Sequence, residues 1–208
     1  MAEQTKFEEH LNAVSHGFGV FLGLIGLMLL IKYDSNKTNW SLFSIIIYGI
    51  SVIILFTAST LYHAVTDIKL KHYYRIIDHV SIYLLIAGTY TPILLITLVN
   101  SSGWMLFWLM WGIALIGMVL KLFYTGRFEI VSTCLYLIMG WMIVFDFNTL
   151  SEAVPSEAIL WLFAGGLFYT VGIIFYAVNR IAYNHVIWHF FVLLGAISHY
   201  LMILFFII

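Results

Sequence analysis

Seven apolar stretches of this chain are each long enough to cross the ~30 Å hydrocarbon core of a bilayer as a helix. Hydrophobic residues make up 63% of the 208 and charged residues only 9%, whereas a soluble domain is about 45–50% apolar and about 25% charged. A soluble core could not hide that much apolar surface, so we predict an all-α integral membrane protein, a seven-transmembrane helix bundle. The predicted helices lie near residues 13–32, 41–65, 76–98, 103–124, 130–148, 158–178 and 185–207.

The segments between the apolar stretches are short and polar, and they leave no room for a soluble domain. None of them is rich in proline or serine or carries a block of charge, and no convincing internal repeat is found. Residues 1–208 are therefore predicted to form a single seven-helix membrane domain. The net charge of −1 includes no basic stripe, which argues against nucleic acid as a partner.

The distribution of lysine and arginine predicts the orientation of the bundle, because cytoplasmic loops carry an excess of these residues. If the N-terminus is cytoplasmic, the cytoplasmic segments hold seven of the nine basic residues, namely Lys6, Lys69, Lys71, Arg75, Lys121, Arg127 and Arg180. The outer segments then hold only Lys32 and Lys37. We therefore predict that the N-terminus is cytoplasmic and that the C-terminus lies outside.

Three histidines and one aspartate fall near the cytoplasmic ends of three predicted helices. His63 lies in the last turn of the second helix, and Asp78 lies in the first turn of the third. His185 and His189 open the seventh helix, and their i, i+4 spacing stacks the two imidazoles on one helix face. All four groups are thus expected at one depth, in the cytoplasmic leaflet.

Three imidazoles at one depth indicate a metal site. His63, His185 and His189 with one solvent molecule would make an open tetrahedral zinc site, which lowers the pKa of bound water to about 7. Asp78 could act as a general base on that water or orient a ligand, and Ser59, one turn before His63, could hydrogen-bond to a ligand or to the water. Ligand type alone leaves iron or manganese open. The alternative for each single histidine is a snorkelling or hydrogen-bonded interfacial residue.

The residues around these positions also resemble a known family. Its motifs in this chain are the run from Glu9 to Gly17, Ser59-Thr-Leu-Tyr-His63, the run from Asp78 to Pro92, His185-Val-Ile-Trp-His189 and Ser198-His199. Together they resemble the bacterial hemolysin III family, which is related to the adiponectin and progestin receptors and, more distantly, to alkaline ceramidases. The resemblance implies that His63, His185 and His189 ligate Zn²⁺. Asp78 would hold a zinc-bound water and Ser59 would support the site, in a multi-pass protein of the bacterial cytoplasmic membrane.

Such a site suggests two classes of function, and a third class is less well supported by the residues. The first is a zinc hydrolase of a lipid amide or ester bond, in which a metal-bound water attacks the carbonyl and Asp78 moves the proton. The second is a non-catalytic, receptor-like sensor or regulator of membrane lipid state, in which zinc ties helices together. The third, suggested by the family name, is a pore-forming cytolysin, although the chain shows neither a barrel pattern nor a repeated ring of charges. A membrane lipid is the expected substrate or ligand.

Further ionisable residues are assigned structural roles from their positions. His16 lies at the right depth to join the cluster, but a supporting or packing role is expected. His199 lies about 15 Å deeper than the paired histidines at 1.5 Å per residue, so we expect it in packing or in a cavity wall. His79 is expected at the membrane interface, Lys121 is expected to snorkel, and Asp146 is expected to reach water at the outer end of the fifth helix.

Overall fold

The computed structural model describes residues 4–178 and 180–208, and every regular element in these residues is helical. The α-helices are α1 (Lys6–Tyr33), α2 (Ser41–Ala64), α3 (Ile68–Pro92), α4 (Gly103–Tyr124), α5 (Glu129–Gly140), α6 (Phe147–Ala153), α7 (Ser156–Ala177) and α8 (Asn184–Met202). π-helical turns extend α3 over Ile93–Thr97 and α8 over Ile203–Ile207, and a 3-10 turn, Met142–Asp146, joins α5 to α6. Within these ranges seven segments are long and apolar enough to cross a membrane, the fifth being α5 with α6. The prediction of an all-α, seven-span membrane protein is confirmed.

Two helices begin earlier than the apolar pattern predicts, because polar caps start them outside the apolar stretches. α1 begins at Lys6 rather than near residue 13, since Thr5 and Glu8 form a reciprocal capping box. α3 begins at Ile68 rather than near residue 76, since the Asp67 carboxylate accepts a hydrogen bond from the Leu70 N–H at 2.9 Å. Both helices therefore extend about two turns beyond their apolar stretches, at the end of the bundle that we call the inner end, where α1 starts.

α3 is the most buried span and lies within the bundle in contact with α2, α4 and α5. α1 packs along α2, while α8 packs mainly on α7 and α1. The fully buried side chains of Tyr48, Tyr83 and Met110 belong to the interior that these contacts create. α5 and α7 contact each other little, which leaves space for cavities between them.

Charged side chains find partners at both ends of the bundle. At the inner end Lys121 is only 1% exposed, and its Nζ lies 2.7 Å from Glu129 Oε2. The prediction that Lys121 snorkels is wrong, because Glu129 at the start of α5 provides a charge partner inside the protein. At the outer end the partly exposed Asp146 accepts hydrogen bonds from the Ser102 and Thr149 hydroxyls, so its predicted place at the surface is observed.

Gly117 of α4 allows a close approach to α3 and yields a stability prediction. A Cβ atom at this position would lie 2.2 Å from the ring of the fully buried Tyr83. We expect Gly117→Ala to lower the free energy of unfolding by about 1–3 kcal/mol, the usual cost of overpacking a core, measured by unfolding the detergent-solubilised protein. Gly112→Ala in the same helix is the control, because a Cβ atom there would meet nothing within 4 Å. Equal stability of the two variants would contradict this packing.

Candidate metal centre

Three histidines from two helices meet at the inner end of the bundle. His63 lies in the last turn of α2, and His185 and His189 lie on one face of the first two turns of α8. Each offers a ring nitrogen, and the three nitrogens lie within 4.8 Å of one another. All three side chains are buried. This triad of histidines is assembled as predicted and could hold a metal ion.

Two ring nitrogens of the triad lack a hydrogen-bond partner among the described residues. They are His63 Nε2 and His189 Nδ1, and both are buried. Leaving a buried polar atom without a partner costs about 1–3 kcal/mol, so such atoms call for a physical explanation. An ion between the three rings would supply the missing partner, and the donor set therefore fits a metal.

The other ring nitrogen of His63 is held by a carboxylate from α1. His63 Nδ1 lies 2.6 Å from Glu9 Oε2, and Glu9 Oε1 lies 2.9 Å from Lys71 Nζ. The apolar pattern could not assign Glu9 to the site, because this residue precedes the first apolar stretch. The available signal was its spacing of seven residues from His16, which places both side chains on one helix face.

His16 of α1 stacks on the triad. Its ring lies nearly parallel to that of His189, with centroids 3.7 Å apart and planes 14° apart. The Phe56 ring meets it edge-on at 5.0 Å. His16 is 3% exposed, and neither of its ring nitrogens has a partner in the described part of the chain. The stack accords with the packing role predicted for His16.

Asp78 and Ser59 line a small cavity together with His185 and His189, and His63 lies beside it. Asp78 is partly buried, and Ser59 lies on the wall of the same cavity. The cavity volume is about 30 Å³, and a polar cavity of more than ~10–15 Å³ can hold a water molecule. The structure thus brings the five predicted residues together, while the chemical roles of Asp78 and Ser59 stay predictions.

An apolar cavity of about 110 Å³ adjoins this histidine cavity and lies among α3, α5, α7 and α8. Both cavities are lined by Leu55, Ile82, Tyr176, Trp188 and Val192. A third cavity of about 320 Å³ shares residues of α5, α7 and α8 with the apolar one and extends to α6 near the outer end. The histidine cavity therefore stands at one end of a mainly apolar series of spaces.

Two further histidines of the spans, His199 and His79, have different surroundings. His199 lines the apolar cavity and the third cavity, so its expected place in a cavity wall is observed. Its Nε2 donates to the Leu162 carbonyl at 3.2 Å. His79 is 3% exposed, and its Nδ1 donates to the Arg75 carbonyl at 2.7 Å. The His79 side chain is therefore buried and also lines the histidine cavity, while its depth relative to the membrane interface stays a prediction.

Comparison with known sequences finds relatives over nearly the whole chain. A family model described as Haemolysin-III related matches residues 4–200. The chain is 42% identical over 200 residues to the Hemolysin-3 homolog of Bacillus subtilis (strain 168), covering 96% of this chain and 94% of the relative. It is 40% identical over 211 residues to Hemolysin-3 of Bacillus cereus, covering 100% and 96%. It is 27% identical over 202 residues to Monocyte to macrophage differentiation factor of Homo sapiens, covering 94% and 83%. These matches confirm the resemblance inferred from the motifs.

Removing a triad histidine should remove the metal. In His63→Ala or His189→Ala an ion would keep only two imidazole ligands, so we expect the metal content of the purified protein to fall from about one ion per chain to near zero. Elemental analysis measures this directly. His72→Ala, which removes an exposed imidazole of α3, is the matched control and should keep the full metal content. Unchanged metal in both triad variants would disprove the site.

Proposed function

The chain belongs to the haemolysin-III-related family, and on that premise we propose that it is a zinc-dependent hydrolase of lipid amide or ester bonds within the membrane. One observation carries the proposal. His185, His189 and the Asp78 carboxylate line a small cavity, His63 lies beside it, and an apolar cavity adjoins it. A metal that only held helices together would need neither the carboxylate nor the apolar space.

Zinc is the metal that we assign to the triad. Three imidazole nitrogens and an open fourth position are the ligand set of catalytic zinc sites such as those that hydrate or hydrolyse carbonyl compounds. When bound, zinc would act as a Lewis acid and lower the pKa of a coordinated water to about 7. In the described residues no fourth histidine, cysteine or carboxylate joins the group formed by His63, His185 and His189.

Asp78 would move the proton of the reaction. Its carboxylate would take a proton from the attacking water as the water oxygen bonds to the substrate carbonyl carbon. It would then return that proton to the leaving amine or alcohol as the C–N or C–O bond breaks. Ser59, which lines the same cavity, would hold the Asp78 carboxylate toward it.

A membrane lipid is the substrate that suits these cavities. Side chains such as Leu85, Ile86 and Leu137 line the larger neighbour of the histidine cavity, and apolar walls of this kind accept an acyl chain. The polar groups at one end of such a pocket orient its ligand. An acyl chain in the apolar cavity would therefore present its carbonyl to the triad and Asp78.

A non-catalytic, receptor-like regulator of membrane lipid state is the second candidate, and the packing of α8 favours it. α8 packs mainly on α7 and α1 rather than on α2. An ion held by His63, His185 and His189 would therefore be a principal link between α2 and α8, and it would stabilise the bundle without any reaction. A pore-forming cytolysin, the third candidate, is supported only by the names of the bacterial relatives.

We further propose that the site lies in the inner leaflet of the bacterial cytoplasmic membrane. Seven of the nine basic residues fall in segments at the inner end of the bundle, and cytoplasmic loops are enriched in lysine and arginine. The triad and Asp78 lie at the same end. The N-terminus would then be cytoplasmic and the C-terminus outside.

Asp78→Asn should separate catalysis from metal binding. The amide keeps the size of the side chain but cannot accept the proton, so we expect hydrolysis to fall by about 10²- to 10⁴-fold with the metal content unchanged. The measurement is fatty acid released from a panel of ceramide-like and ester lipids. Asp146→Asn, at the outer end of the bundle, is the control and should keep full activity. Metal-loaded wild type that hydrolyses no lipid of the panel, yet loses thermal stability on chelation, would establish the regulator instead.

Cysteine labelling tests the orientation. In a Cys134→Ala background, a membrane-impermeant maleimide applied to intact cells should label Asn39→Cys, between α1 and α2, and should leave Arg127→Cys, between α4 and α5, unlabelled. Both positions are exposed, so both should react after the cells are lysed. The reverse pattern in intact cells would place the triad in the outer leaflet.

A further inference from the structure

We propose that Glu9 is a positioning residue of the metal centre, which holds the His63 ring so that its Nε2 faces the ion, and that Lys71 holds Glu9 in place. The inference rests on the metal site of the proposed function, but it does not depend on whether the site is catalytic. The first turns of α1, which contribute no ligand to the triad, would thereby affect metal affinity.

The contact between Glu9 and His63 determines which ring nitrogen is free. An ionised carboxylate can only accept hydrogen bonds, so at 2.6 Å the His63 Nδ1 must carry the hydrogen that Glu9 Oε2 accepts. In a neutral imidazole Nε2 then carries the lone pair. Nε2 is also the His63 atom that is buried and has no partner among the described residues. The contact with Glu9 and the unpartnered Nε2 therefore indicate the same tautomer, with hydrogen on Nδ1 and the lone pair on Nε2, which is the tautomer that binds a metal through Nε2.

Lys71 fixes the second carboxylate oxygen. Its Nζ lies 2.9 Å from Glu9 Oε1 and also donates to the Tyr62 carbonyl at 3.1 Å. The same ammonium group lies 4.9 Å from the centre of the Tyr62 ring. Because the carbonyl end of a helix attracts cations, the last turn of α2 anchors Lys71. Glu9 is thus held at both oxygens, between α2 and the start of α3.

This arrangement matches what metal-binding histidines require. A ligating histidine usually donates its second ring N–H to a carboxylate, which sets the tautomer, orients the ring and makes the ligand more basic. Removing such a partner typically costs about 10- to 100-fold in metal affinity. A surface ion pair between Glu9 and Lys71 alone would contribute little, and it would affect the apo and zinc-bound protein equally.

The experiment measures Zn²⁺ affinity of the full-length protein in detergent by competition with a fluorescent chelator, together with the thermal midpoint with and without Zn²⁺. We expect Glu9→Ala to weaken Zn²⁺ binding by about 10- to 100-fold. Glu9→Gln should weaken it less, because its amide oxygen still accepts the hydrogen of His63 Nδ1. Glu8→Gln, the neighbouring carboxylate that caps α1, is the matched control and should bind Zn²⁺ as the wild type does.

A Lys71→Met variant tests the second half of the proposal. If Lys71 acts through Glu9, Lys71→Met should weaken Zn²⁺ binding in the wild-type background and change nothing further in Glu9→Ala, because coupled residues are non-additive. Wild-type Zn²⁺ affinity in Glu9→Ala, with affinity lost in His63→Ala, would overturn the role of Glu9 and leave the metal site intact. Wild-type Zn²⁺ affinity in both Glu9→Ala and His63→Ala would overturn the metal site itself.

Discussion

Hydrocarbon offers no hydrogen-bond partner, and the whole molecule is organised by that constraint. Backbone groups must be satisfied within each span, which makes helices the form that a chain of this composition can take. Ionisable side chains are costly within the hydrocarbon region unless they pair with one another or with a backbone carbonyl. Lys121 therefore pairs with Glu129, and His79 donates to the Arg75 carbonyl. The buried ionisable side chains of the described residues accordingly gather toward the inner end of the bundle, where helix ends supply partners.

Buried atoms without partners cluster at the site. His63 Nε2, His189 Nδ1 and both nitrogens of His16 lack partners in the described residues and belong to rings that contact one another, whereas others, such as the Tyr48 and Tyr83 hydroxyls, stand apart. An unpartnered buried atom destabilises a protein. At or beside one small cavity lined by Asp78, the triad nitrogens indicate a guest that can accept their lone pairs. The same cavity adjoins an apolar cavity, so a polar centre lies next to an apolar space.

The sequence predicted the elements that depend on length and hydropathy and missed those that depend on neighbours. The seven spans and the meeting of His63, Asp78, His185 and His189 at one end of the bundle follow from counting residues along helices, and the described structure agrees. The early starts of α1 and α3 were missed because caps at Thr5 and Asp67 act on polar residues. The burial of Lys121 was missed for a related reason, since its charge partner Glu129 comes from α5.

Hydropathy by itself determined how many spans the chain has and near which end of its helix each polar residue lies, because both depend only on the rise of a helix along its own axis. It could not determine how each helix is rotated about that axis or which helices adjoin. Only the tertiary structure decided that Glu9 meets His63, that His16 stacks on His189 and that an apolar cavity adjoins the triad. Those contacts join residues that are distant in the chain, and they depend on side-chain packing between helices, which no local pattern encodes.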